Sequence, residues 1–315
     1  MSGKQIPMLM LLLILGSAAV FVSNIHVVKA ESTIYIRANG SVEGTDKIQR
    51  MVDIYTFTAD IYGSIVVERD NVVLNGAGYT LQGDGSQNGI ALNGISNATI
   101  KSLTLSSFNI GIVVRGSDDN KILENTITDS FRGLDFTASE NNTVSRNYIA
   151  NNQDGIALEN MYNNIFDNVI TDNSNVGIFL NGAGYNSIVG NNITKNSRGI
   201  LVHVCFNNVF YHNNFVYNVV HVETDGSNDI WDNGGEGNYW DNYTGLDSDG
   251  DGVGDTPYVI DENNRDNYPL VEPIMVSETE PFPTILVIAI VVVAAVVICA
   301  GVLLYFAKFK ERSAA

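Results

Sequence analysis

Cysteine, proline and positive charge are all scarce in this chain. It carries 2 Cys and 6 Pro in 315 residues, and 17 Lys and Arg against 35 Asp and Glu. The deficit of cations excludes a nucleic-acid partner, because such a surface repels a polyanion and draws cations instead. The cysteine count excludes an intrachain disulfide: Cys299 lies in a long apolar run near the C-terminus and Cys205 far upstream of it. A domain exported to an oxidising compartment would therefore need another source of rigidity.

Both ends of the chain are unlike its middle. Residues 1–30 have one early cation, Lys4, then an apolar run from Ile6 to Val22 and a Val28-Lys29-Ala30 step, the pattern of a cleaved signal peptide. Residues 284–306, "TILVIAIVVVAAVVICAGVLLYF", hold no charge and are long enough to cross a bilayer core of about 30 Å as a helix. Lys308, Lys310 and Arg312 follow directly, which predicts a cytoplasmic tail over 307–315 and everything before residue 284 outside. The expected protein is a single-pass membrane protein with one exported domain. Between the two ends, residues 31–283 carry 12 basic against 34 acidic residues, a net charge of −22.

The middle is a repeat. Gly89, Gly111, Gly133, Gly155, Gly177 and Gly199 are each 22 residues from the next, and each opens a variant of "GIALNG". A strict period of this length signals a solenoid. Counting the glycine as position 1, positions 2 and 4 are apolar in every unit, as in Ile112 and Val114 or Ile156 and Leu158, a period of two that predicts a strand with one buried face. Two more short alternating pieces follow in each unit, bounded by Asn and Gly. Three short strands in a coil too short for a helix predict a parallel β-helix.

Asparagine recurs on the same period. Position 10 reads Asn120, Asn142, Asn164, Asn186 and Asn208, and position 15 is Asn125, Asn147, Asn191 and Asn213 with Asn168 one place early. Stacked coils turn these positions into columns in which amides bond up and down and tolerate left-handed turns. The expected layout is an N-terminal cap at 31–66, β-helix repeats at 67–224, a C-terminal cap at 225–270 and a linker at 271–283. Trp231, Tyr239, Trp240 and Tyr243 are read as the lid on the last coil.

The segments "TIYIRANGSV", "DNVVLNGAGYTLQG", the repeated "GI.L....NN.I..N.I..N" and "GNYWDNYTGLDSDGDGVGDTPYVIDENNRDNYPL" resemble the NosD-like family of carbohydrate-binding and sugar-hydrolase β-helices, particularly its archaeal cell-surface members. The resemblance implies an all-β, right-handed parallel β-helix on a surface protein. It implies no single activity, since the family is named partly for copper-site maturation and partly for sugar chemistry.

Three kinds of site can be weighed. In "GLDSDGDGVGDTPY", Asp247, Asp249, Asp251 and Asp255 match positions 1, 3, 5 and 9 of a calcium loop, with the Val253 carbonyl at position 7. Tyr258 replaces the closing Glu of an EF-hand, so the pattern suits an Asp-rich extracellular calcium loop. For copper, the exported part offers His203, His212 and His221, nine residues apart, with Cys205 nearby and no Met-rich stretch. That spacing puts them on different faces. For catalysis, Arg115, Asp135 and Glu159 fall on the outward strand face. Asp135 and Glu159 would sit about 8 Å apart, within the range of a glycosidase pair, while the paired aspartates of pectin-degrading enzymes are missing. Sequons at Asn39, Asn97, Asn141, Asn192 and Asn242 permit N-glycosylation.

Together these features lead to the expectation of a membrane-anchored surface module, structural or binding, for carbohydrate or an envelope partner, with structural calcium. A lyase or glycoside hydrolase working on the strand face is the rival, and a copper-maturation factor the third reading.

Overall fold

The computed structural model describes residues 33–276. The predicted leader over 1–30, the apolar span 284–306 and the tail 307–315 lie outside the described residues. Among the described residues no helix is long and apolar enough to cross a membrane.

The described chain winds into a parallel β-solenoid with three sheets. One holds ten strands, six residues long in the regular coils, as in Ile110–Arg115 and Asp154–Glu159. The second and third hold ten and nine short strands, mostly of three residues, as in Lys121–Leu123 and Thr126–Thr128. In the regular coils strands pair mostly with the strand 22 residues on, for example Ile112 with Leu134 and Ile122 with Val144.

The predicted alternation sets the core. Positions 2 and 4 of the six regular coils, from Ile90 and Leu92 to Ile200 and Val202, are buried to 1% exposure or less. One inward side chain from each short strand completes the interior, such as Leu105, Ile127, Ile149 and Ile170 in a single column. Each fully buried aliphatic contributes about 1.5–3 kcal/mol against chain entropy.

The repeated glycine has a packing cause. At Gly133 and Gly155 an added Cβ would meet the carbonyl oxygen of the next coil's glycine at 2.6 and 2.4 Å. The period of 22 is thus enforced by one backbone contact per coil as well as by the core.

Asparagine columns run along three corners of the coil, where two were expected. In the first, Asn120 N–H donates to Asn142 Oδ1 at 2.9 Å, and Asn142 N–H to Asn163 Oδ1 at 2.9 Å. The column member is Asn163, not Asn164, which is exposed at the start of the next strand. The corner before Asn163 is one residue short, and the turn between Asn173 and Gly177 restores the register. The second column runs through Asn125, Asn147, Asn168, Asn191, Asn213 and Asn238. The third, unforeseen, runs through Ser130, Asn152, Asn173, Asn196 and Asn218.

Each amide also donates backward, as Asn147 Nδ2 does to the Ile122 carbonyl at 2.8 Å. The columns therefore satisfy corner backbone groups that strand pairing leaves unpaired. The left-handed residue is the one just before the column: Asn141 at φ 56°, Arg146 at φ 53°, Tyr162 at φ 58°. Residues tolerant of positive φ recur there, as at Asp119, Asn151 and Gly190, but Arg146, Tyr162 and Lys195 take the same conformation, so the amide behind helps to hold the corner.

The sheets begin upstream of the boundary expected at residue 67. Ile34–Ile36 pairs with Ile65–Val67, and Ile54–Phe57 with Val73–Asn75, both in parallel. Antiparallel strands Val42–Glu43 and Ile48–Met51 then close the first and second sheets. At the far end two aliphatic columns turn aromatic. Phe210 stacks on Trp231 at 4.2 Å, and Phe215, Trp240 and Tyr258 stack in series at 4.3 and 4.2 Å. Of the four aromatics expected in the lid, Trp231 and Trp240 form it; Tyr258 joins them, while Tyr243 packs at the side with its hydroxyl donating to the Thr256 carbonyl at 2.6 Å.

Candidate functional site

The outer face of the long-strand sheet carries one group of charged residues that are buried and paired. Asp135 and Asp154 each point outward yet are only 5% exposed. Arg132 lies between them, its Nη1 3.2 Å from Asp135 and its Nη2 3.5 Å from Asp154. Arg132 and Asp154 are direct cross-strand neighbours, a placement that favours opposite charges. Arg115 approaches Asp135 from the preceding coil at 3.8 Å, and Asn175 donates to Asp154 at 2.7 Å. Asn175 comes from the turn that restores the coil register, so the irregularity in the repeat supplies a polar group to the cluster.

The Arg132 Nε–H is buried and has no partner. A guanidinium donates through all its N–H groups, and an unfilled buried donor is costly. Phe131, the preceding residue, is 50% exposed.

Asp135 and Glu159 lie one coil and two residues apart, as expected, with Asp135 facing Ala157 and Glu159 facing Thr137 across the strands. Glu159 is exposed, however, while Asp135 is buried and paired with arginines. Asp135 instead groups with Asp154, which sequence spacing alone did not single out. The available signal was that Arg132 and Asp154 occupy the same coil position.

In the Asp-rich loop, carboxylate oxygens of Asp247, Asp249 and Asp251 lie within 4.8 Å of one another. Asp247 accepts the amides of Gly250 and Gly252 at 2.7 and 3.0 Å, and these donors, Gly252 foremost, hold its carboxyl below the usual carboxylate range. Asp255 turns away to accept Ser248 Oγ at 2.5 Å. Val253 donates its amide to Asp251 at 2.8 Å. Three of the expected oxygen ligands are therefore together, and Asp255 would have to rotate to join them.

Copper finds no comparable set. His203 meets Asp225 at 3.0 Å, His212 meets Glu236 at 2.6 Å and His221 meets Asp241 at 2.9 Å, each on its own carboxylate. Burial pushes the Cys205 thiol up to about 11, away from the thiolate that ligates metal. Among the described residues, the group of three or more His, Cys, Asp or Glu close enough to share an ion is the hard-oxygen aspartate triad. These donors do not fit copper. Asn39, Asn97, Asn141 and Asn242 are exposed and Asn192 is half-buried in a strand.

Residues 61–245 match the family model described as "Periplasmic copper-binding protein (NosD)". No curated protein matches the chain. Solved structures similar to it include the periplasmic alginate epimerase AlgG, with 15% identity, 68% of this chain and 73% of that one covered, and a TM-score of 0.45. The enzymatically active domain of bacteriophage CBA120 tailspike protein 2 shares 13% identity over 62% of this chain and 34% of that one, with a TM-score of 0.40. The catalytic domain of a GH87 α-1,3-glucanase with nigerose shares 15% identity over 59% and 54%, with a TM-score of 0.25.

Proposed function

The chain belongs to the NosD family, and on that premise we propose that it is an extracytoplasmic β-helix binding module that takes carbohydrate on the outer face of its long-strand sheet. The observation that carries this reading is the Arg132 cluster. It combines a partly exposed guanidinium held between two carboxylates with the half-buried amide of Asn175, and the residue before the arginine, Phe131, is 50% exposed. Sugar hydroxyls are both donors and acceptors, and such a mixed array suits them where a uniformly charged patch would not.

The apolar run 284–306 would anchor the module, with the Lys308–Arg312 end in the cytoplasm. Calcium at Asp247, Asp249 and Asp251 would brace the cap from which that anchor departs. Hard oxygen donors favour calcium there, and the ion would relieve the repulsion among three carboxylates.

A glycan array probed with the full-length protein tests the binding role. Binding should occur and should fall at least tenfold in Arg132→Lys, which keeps the positive charge between Asp135 and Asp154 but loses the planar fork. A blank array, or binding indifferent to that change, refutes the proposal. Release of reducing or unsaturated ends would move the assignment to an enzyme.

A further inference from the structure

The C-terminal cap covers two of the three sheets and leaves the third open. The second sheet ends at Asn228–Ile230, where the Asp229 amide donates to Asn264 Oδ1 at 3.2 Å. The third ends at Tyr239–Trp240, where Tyr239 bridges to Leu270. The long-strand sheet ends at Val220–Thr224, which pairs with Arg198–His203 on one side and, among the described residues, has no strand on the other.

A cavity of about 360 Å³ lies along that free edge. Val220, His221 and Val222 of the edge strand line it, together with Asp241 and with Tyr258, Val259 and Ile260 of the cap. His221 occupies the coil position that is glycine in the six preceding coils. There an added Cβ would strike the backbone of a following coil, as at Gly199, so His221 marks where the chain stops building its own next strand. The edge strand contains neither proline nor lysine, and its one acidic side chain, Glu223, is paired with Arg198 of the neighbouring strand at 2.9 Å. Val219 and Val259, which also line the cavity, are 84% and 67% exposed.

We infer that this slot receives an extended, basic polypeptide segment of a partner protein, which adds as the next strand of the long-strand sheet. Extended backbone is the chemistry that satisfies a row of unpaired N–H and C=O groups, and flanking apolar side chains would fill the slot between Val222 and Val259. Charge selects the partner. From Asp225 to Asp266 the chain holds twelve acids and one base, so the field at this end attracts cationic side chains. The site is separate from the Arg132 cluster, and either can stand without the other.

The full-length protein is titrated with three fluorescent eight-residue peptides: alternating Val-Lys, alternating Val-Glu, and the Val-Lys sequence with every amide N-methylated. The Val-Lys peptide should bind at least tenfold more tightly than the other two and protect the amides of Val220–Thr224 from hydrogen exchange. Val259→Lys should weaken it at least tenfold with an unchanged melting temperature. Absence of binding, equal binding of the N-methylated peptide, or no protection at Val220–Thr224 overturns the inference. A concentration-dependent dimer abolished by Val259→Lys also overturns it, by giving the edge to a second copy of this chain.

Discussion

The two ends of the solenoid close the same kind of open coil by different means. At the N-terminal end, antiparallel strands Val42–Glu43 and Ile48–Met51 supply backbone to the first strands of two sheets, and Tyr55 is tied by its hydroxyl to the Gly40 carbonyl at 3.0 Å. At the C-terminal end the work is done by side chains. Trp231 and Trp240 plug the core, and their indole N–H groups donate to Asn264 at 3.1 Å and Asp266 at 2.9 Å. Asp266 is fully buried and ends the second asparagine column, and Asp229 carries the first on to Asn264. Backbone closure is indifferent to pH and ions, whereas closure by buried carboxylates and an acidic loop is not.

Trp240→Ala should have the largest effect, because it opens the aromatic stack. A loss of about 3–5 kcal/mol is expected from the cavity alone. Hydrogen exchange should show the coils after Asn186 opening first while those before Asn120 keep their protection, since a solenoid frays from a damaged end. Equal loss at both ends would break the contrast.

Protonation should sharpen it. Burial pushes Asp266 up to about 6 from 3.8, against the pull of the Asn238 and Tyr268 amides and the Trp240 indole. The folded state thus binds a proton that the unfolded chain releases. Its contribution is complete below the unfolded value and is lost as pH rises through about 6. Asp229 shifts the same way through burial. His221, whose burial lowers its value, acts oppositely, losing stability as pH falls through the ordinary histidine range. The difference between wild type and Asp266→Asn isolates the acid term: denaturant midpoints should move in favour of wild type by about 2–3 kcal/mol between pH 7 and pH 4. A pH-independent difference would refute the assignment.

Chelation comes next in size. If calcium sits on Asp247, Asp249 and Asp251, a chelator should remove about 2.7 kcal/mol when the ion was at a hundredfold excess over its Kd. The loss should be confined to the C-terminal cap, and an unchanged melt would dismiss the ion. The smallest change is at the other end. Tyr55→Phe should cost about 1 kcal/mol for one buried hydrogen bond, equally at pH 7 and pH 5 and with or without chelator.

Much of this architecture is legible in the chain because a fixed period gives each position the same surroundings in every coil. Ile112, Leu134 and Ile156 could be placed in the core without a structure. The aspartate triad was legible for a related reason, since its members are four residues apart end to end. The Arg132 cluster was not, because Asp135 and Asp154 are 19 residues apart in the chain and meet only through a guanidinium on a neighbouring strand.

The sequence by itself determined the coil length, the inward columns and two of the three asparagine columns, since all of these follow from repetition at fixed spacing. Only the tertiary structure decided that Asn163 and not Asn164 enters its column, because the choice depends on which corner absorbs the missing residue. It also decided that Asp135 partners Arg132 rather than Glu159. Finally, it decided that the cap leaves Val220–Thr224 uncovered, because the cap is built from segments that do not repeat, and their reach over three sheet ends is fixed only by packing.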